Sequence, residues 1–317
     1  MSIDVRLIGL DWGTSSLRAY LYGADGEIVA SRQQDWGIRQ LPDGGFPAAL
    51  KAMLEDWPSC AMVAAGMVGS RQGWREVPYV EVPADASAIA RAMVSIDTGA
   101  GALWIAPGLH QVAPANVMRG EETQILGALA LHPELRANAR FVLPGTHSKW
   151  AAVNDDRIVA FDTVMTGEIY ALLLKHSILG AGVPKERTPS PSGDAFERGL
   201  FSAKESGAAG VYGRLFSVRA RMLDGELHVQ DVPDFLSGLL IGEEFRIASV
   251  REVHASGRLC LIGEPSLCAR YVTAAKHFGY AEPAIIGDAA AAGLWQLATQ
   301  SGVLAQAPSY RFSGADV

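Results

Sequence analysis

The chain has 317 residues, 49% of them hydrophobic and 19% charged, and its 34 acidic against 27 basic side chains give a formal net charge of −7. With no run of Lys or Arg, that balance leaves no electrostatic footprint for nucleic acid or for an anionic membrane surface. The three cysteines, Cys60, Cys260 and Cys268, have neither CxxC nor CxxH spacing, which excludes a zinc ribbon or dithiol pair and leaves them as small apolar core residues.

The opening MSIDVRLIGLDWG carries Asp4 and runs directly into a strand. It does not resemble a secretory signal, and no apolar run reaches the length of a membrane span, so a soluble cytoplasmic protein is expected. Residues 10–30 predict a β-meander: an apolar strand, a Gly13-Thr14 turn, a second strand, an Ala-Asp-Gly turn and a third strand. Helical spacing over 46–56 ends at Trp57-Pro58, and a buried strand over 60–68 opens into the loop that starts at Ser70. A short helix over 84–93 and a strand over 102–107 follow. Residues 117–133 read as a turn and then a helix with Glu121 and Glu122 in its first turn and Pro133 at its end. A second meander occupies 143–160, followed by a helix from about Thr166 and a proline-rich surface loop over 182–194. Three mainly helical stretches cover 196–211, 213–223 and 234–250. The strand RLCLIG leads through Gly263 into a helix over 265–279, and the strand AIIG precedes the last helix, 288–298. Alternating strands and helices mark an α/β architecture.

The two meanders repeat one another. Gly13, Thr14, Ser16 and Ala19 return as Gly145, Thr146, Ser148 and Ala151, and Ile28-Val29-Ala30 returns as Ile158-Val159-Ala160. With one copy near the start and one near the middle, the chain divides into two domains, 1–138 and 139–317. Gly-Thr/Ser turns aim backbone N–H groups and hydroxyls at anions, so two of them facing each other would grip a polyphosphate. In the first copy Asp11, Gly13, Thr14 and Ser15 converge on one loop, where Asp11 either holds Mg²⁺ or caps the turn. The second copy lacks the Asp, with Leu143-Pro144 where the first has Asp11-Trp12, and offers Gly145, Thr146, His147, Ser148 and Lys149 as phosphate partners. Glu121 or Glu122 is the candidate base for a substrate hydroxyl, or else both stabilise a helix start. Arg71 and Arg119, with Gln72 and Trp74, are candidates for a substrate carboxylate and its apolar wall. Walker, protein-kinase, complete G-x-G-x-x-G and G-x-S-x-G signatures are all missing.

On these residues the chain resembles the actin, hexokinase and Hsp70 ATPase superfamily, with DWGTSS as first and LPGTHSKW as second phosphate motif and Gly263 in an adenosine-side turn. Within it, GMVGSRQGWREVPY, VMRGEETQ, LPGTHSKWA, FDTVMTGEIYALL and LSGLLIGEEF resemble the 2-dehydro-3-deoxygalactonokinase family. The resemblance implies two RNase H-like actin/hexokinase-type domains with a nucleotide cleft between them. It implies transfer of phosphate from ATP, with Mg²⁺, to the 6-hydroxyl of 2-keto-3-deoxygalactonate in galactonate breakdown, with self-association into a homo-oligomer open. Many sugar kinases of the superfamily use an aspartate base where this chain has Glu121-Glu122. In that respect it is similar to the exopolyphosphatase branch, so a phosphoanhydride hydrolase is one rival expectation. A non-enzymatic actin-like sensor is another.

Overall fold

The structure is a computed structural model that describes residues 2–184, 186, 193–250, 257–306 and 310–313. In chain order, β1 (Ser2–Trp12), β2 (Leu17–Gly23) and β3 (Ile28–Gln34) form the first meander, followed by α1 (Gly45–Met53) and β4 (Ala61–Gly66). Next come β5 (Val80–Glu81), α2 (Ala86–Arg91), β6 (Val94–Asp97), β7 (Ala102–Ile105), β8 (Leu109–Gln111), β9 (Asn116–Met118) and α3 (Glu121–Leu131). The second meander is β10 (Asn138–Leu143), β11 (Ser148–Asn154) and β12 (Arg157–Val164), with α4 (Thr166–His176), α5 (Ala195–Lys204), α6 (Leu215–Leu223) and α7 (Val232–Val250) after it. The chain closes with β13 (Arg258–Leu261), α8 (Pro265–His277), β14 (Ala284–Ile285), α9 (Ala289–Ser301) and β15 (Tyr310–Ser313).

Both copies of the repeat build the same sheet corner. The larger sheet runs β3-β2-β1-β4-β7-β6, with β15 also paired to β1, and the smaller runs β12-β11-β10-β13-β14. In each, a strand parallel to the first meander strand lies on its other side: β4 beside β1 and β13 beside β10. A third sheet, β5-β8-β9, is made of strands of two or three residues, too short to show period-2 alternation in the sequence.

The chain forms two compact units. One comprises 1–138, 153–161 and 287–317, the other 139–152 and 162–286. The first segment of the first unit ends at Asn138, and residues 287–317 belong to the first unit rather than the second. The cause is α9, which packs on α3 so closely that a Cβ on Gly293 would sit 1.9 Å from the Thr123 carbonyl oxygen and one on Gly127 1.8 Å from that of Ala289.

In the first unit β1 and β4 are buried on both faces, as central parallel neighbours must be, with Leu10, Trp12, Met62 and Ala64 packed against Ala49, Leu50 and Met53 of α1. In the second unit α7 has no continuous polar face and is buried through most of its length, as a core helix is. The three cysteines are buried, and none of them is in a disulfide. Among the described residues, no helix is long and apolar enough to cross a membrane. Most of the proline-rich stretch expected as a surface loop, including 187–192, lies outside the described residues.

Candidate active site

The first Gly-Thr turn is closed by its own backbone and braced by a neighbouring loop. Gly13 N–H donates to Ser16 O at 2.9 Å, so this amide is spent inside the turn and is not offered to an anion. Ile38 N–H donates to Gly13 O at 3.1 Å and Arg39 N–H to Thr14 O at 3.3 Å. Such contact between two backbones requires Gly37, where a Cβ would lie 2.2 Å from Ser15 N. Trp12 locks the loop by donating its indole N–H to Trp36 O at 2.8 Å. Thr14 is left half-buried and Ser15 exposed at the rim.

Three chain segments meet beside this turn. Register places Asp11 next to Ala65 and Trp12 next to Gly66 at the end of β4. A Cβ on Gly66 would fall 2.7 Å from Trp12 O, and one on Gly120 3.2 Å from Gly66 Cα; both glycines have positive φ, at 95° and 110°. The start of α3 is thereby pressed against the ends of β1 and β4. Its N-terminus has a glycine at the cap position, and the two acidic side chains replace a cap: Glu121 accepts from Arg119 N–H at 3.0 Å and Glu122 from Gly120 N–H at 2.7 Å.

The two glutamates then part company. Glu122 is fully buried and also accepts from the Thr123 hydroxyl at 3.1 Å; burial, followed by the charge of Glu121, pushes its pKa up to about 8. Glu121 is half-buried. Asp11, also half-buried, has its pKa raised by burial, lowered in part by Arg18 and raised again by Glu121, which places the Asp11 and Glu121 charges in one neighbourhood. Among the described residues no cluster of three or more His, Cys, Asp or Glu side chains is placed to hold a metal ion. Two mutually repelling carboxylates suit a cation that completes its coordination with phosphate and water, as Mg²⁺ does.

The substrate candidates separate as clearly. Arg119 is 9% exposed; one guanidinium nitrogen donates to Val77 O at 2.7 Å and the plane lies over Tyr79 at 4.3 Å. Its Nε and Nη1 are buried with no hydrogen-bond partner, as is the hydroxyl of Ser70, next to Gly69, whose Cβ would meet Nη1 at 2.9 Å. A buried cation with two unused donors is costly unless an anion completes it. Arg71 and Gln72 are exposed on the following loop, whereas Trp74 stacks on Phe46 at 5.6 Å and meets Trp12 edge-on at 6.1 Å. Trp74 thus supports the strand that carries Asp11.

The second turn is braced in the same way by the start of α4. Glu168 N–H donates to Thr146 O at 3.0 Å, and Gly167 allows the approach, since a Cβ there would lie 2.6 Å from Gly145 O. Gly145 is half-buried, Thr146 exposed, and exposed His147 pairs with Glu168. Gly145, Thr146, Thr166, Gly167, Arg270 and Tyr271 line a cavity of about 360 Å³. Gly263 lies beside the turn, its would-be Cβ 3.4 Å from Pro144 Cδ. Ser148 and Lys149 point inward and are buried, so the phosphate contact expected of the Ser148 hydroxyl gives way to a 2.9 Å bond with Tyr271.

A family model for 2-keto-3-deoxy-galactonokinase matches residues 11–297. The chain belongs to this family. It is 42% identical to the 2-dehydro-3-deoxygalactonokinase of Escherichia coli K12 over 91% of its own length and 95% of that protein's. A solved Sinorhizobium meliloti protein assigned as a 2-dehydro-3-deoxygalactonokinase superposes with a TM-score of 0.83 at 36% identity, covering 92% of this chain and 98% of that one. The activator of the 2-hydroxyisocaproyl-CoA dehydratase from Clostridium difficile, solved with bound ADPNP, is 13% identical with a TM-score of 0.51 over 96% of this chain and 97% of that one, and shares the fold alone. Members of the galactonokinase family are phosphotransferases, and this chain is one.

Three further polar residues lie close to these turns and glutamates, with little or no sequence signal of their own. Ser70 lies with Arg119 only through the tight turn after β4. Asp288, in the left-handed region at the start of α9, adds its charge to that of Asp11 in raising the Tyr20 pKa behind burial. Glu244 of α7 is 1% exposed and sits under the second turn. Its Gly-Glu-Glu context was the one available hint.

Proposed function

We propose that the chain transfers the γ-phosphoryl group of ATP to the 6-hydroxyl of 2-dehydro-3-deoxy-D-galactonate, with Glu121 as the base. The observation that carries this reading is the meeting of Asp11, Gly66, Gly120 and Glu121 where β1 and β4 end and α3 begins. Glu122 lacks the access a base needs, because its carboxyl is enclosed and bonded to the helix start. In the reaction the substrate oxygen attacks the γ-phosphorus, the bond from that phosphorus to ADP breaks, and the hydroxyl proton passes to Glu121.

Arg119 supplies unused donors for the carboxylate at the other end of the sugar acid, with exposed Arg71 and Gln72 at the rim. Within the first unit Thr14 and Ser15 are the candidate phosphate contacts; within the second, Gly145 and Thr146 are, and the cavity beside them takes the rest of the nucleotide. Asp11 is the residue to hold Mg²⁺ or its waters. When bound, that ion neutralises charge on the phosphate oxygens.

The test is product analysis with ATP and Mg²⁺. ADP should appear only with 2-dehydro-3-deoxy-D-galactonate present, and phosphorus NMR should show a 6-phosphate monoester. Release of inorganic phosphate from polyphosphate with no sugar acid present would overturn the proposal.

A further inference from the structure

A buried carboxylate with four donors around it lies behind the second turn, and nothing in the chemistry above uses it. Glu244 Oε2 accepts from the Trp150 indole N–H at 2.7 Å; Oε1 accepts from the Tyr271 hydroxyl at 2.6 Å and from the Thr166 hydroxyl. Ser148 joins through Tyr271 at 2.9 Å. The donors come from β11, α4 and α8, and the acceptor from α7.

Two of the donors are also walls of the cavity: Thr166 and Tyr271 line it together with Gly145 and Thr146. Thr166 begins α4, and the next two residues are the brace on the turn, Gly167 against Gly145 O and Glu168 N–H on Thr146 O. One side chain therefore sets the first turn of α4, the tyrosine face of α8 and the first residue of β11 about a common point. Two of the three groups bonded directly to the acid, Thr166 and Tyr271, face the cavity, so the carboxylate fixes the shape of the cavity wall as well as satisfying buried donors. Burial raises its pKa and the four donors oppose the rise.

We infer that Glu244 is a positioning residue for nucleotide binding, holding Thr166 and Tyr271 so that the turn at Gly145 and Thr146 keeps its shape for phosphate. The inference rests on the proposal that this cavity receives the nucleotide. The chemistry of replacement is specific. The Trp150 N–H can only donate, so the oxygen of a glutamine must face Trp150 and its NH₂ must face Thr166 and Tyr271. Both hydroxyls then have to turn and accept.

Binding of a non-hydrolysable ATP analogue to the full chain, measured by calorimetry beside binding of the sugar acid, tests the inference. Glu244→Gln should weaken the analogue by about 10-fold and leave the sugar acid within about 2-fold. Glu244→Leu, which leaves the Trp150 N–H and both hydroxyls without their acceptor, should lower the melting temperature and weaken the analogue at least as much, with the sugar acid again within about 2-fold. Ser237→Phe, which fills the cavity from α7, serves as the control on the cavity itself. If that variant binds the analogue normally, the nucleotide lies elsewhere and the inference falls with the cavity. If it blocks binding while Glu244→Gln does not, the cavity stands and the role of Glu244 is overturned. Equal loss of both ligands together with lower melting temperature in both Glu244 variants would also overturn it, as a purely structural acid.

Discussion

The two Gly-Thr turns are braced alike and surrounded differently. At each, a glycine lets a following segment touch the turn backbone, Gly37 in one case and Gly167 in the other, and an N–H two residues or one residue later donates to the threonine carbonyl. The first turn, however, follows a half-buried acid, Asp11, beside Glu121, whereas the second has Leu143 in that place and keeps its acid, Glu244, buried behind the strand. Duplication accounts for the shared backbone geometry, and the chemistry resides in what each copy places around it. On the proposal above, the first copy presents charge to a reacting group and the second stores charge to hold a shape.

That contrast can be broken experimentally. The largest effect is expected from removing the charge unique to the first copy: Asp11→Asn should lower Mg²⁺-dependent turnover by roughly 10²- to 10³-fold with sugar-acid affinity kept, read from kcat against the binding constant. Equal loss of both would mean that Asp11 supports the fold rather than the reaction. The shared braces should respond alike. Gly37→Ala and Gly167→Ala each force a methyl into backbone, and each should cost about 1–3 kcal/mol in denaturant unfolding. A loss at only one of them would show that the two turns are not held by the same device.

A further effect is on pH dependence and concerns Glu122. Its pKa stands at about 8 in the folded chain against 4.5 for an exposed glutamate, so the folded state retains a proton that the unfolded state releases. Stability from this group is undiminished below about pH 4.5, falls as pH rises and reaches its full penalty above pH 8. Glu122→Gln should flatten the fall between those values by up to one proton, about 1.4 kcal/mol per pH unit. Parallel stability curves for both proteins would contradict the burial assignment.

Sequence made the repeated turns readable because glycine and threonine sit between two apolar runs with polar turns at matching distance. The end of α3 was readable from Pro133 and that of α8 from Gly279, which act locally, whereas the last helix, expected to end at residue 298, runs on to Ser301. Features that depend on tertiary approach left no such mark. Gly37 looks like any loop glycine until Ser15 is seen against it. Residues 148–153 are buried on both faces, so alternation could not tell that Ser148 turns inward. Glu244 sits in a helix without a polar face, where only the burial of its neighbours distinguishes it from Glu243. The return of α9 to the first unit is likewise a matter of packing between segments far apart in the chain. Arg119 was separable from Arg71 only by burial, which leaves one with unused donors and the other in solvent.

The central claim is that adjacent glutamates at one helix start divide the work, Glu121 taking the proton and Glu122 capping the helix. Single-turnover phosphoryl transfer, with ATP and 2-dehydro-3-deoxy-D-galactonate both saturating, tests it most directly. Glu121→Gln should slow the chemical step by roughly 10²- to 10⁴-fold, and Glu122→Gln should leave it within a few-fold of the unaltered chain. The opposite pattern, or loss of rate in neither variant, would contradict the assignment.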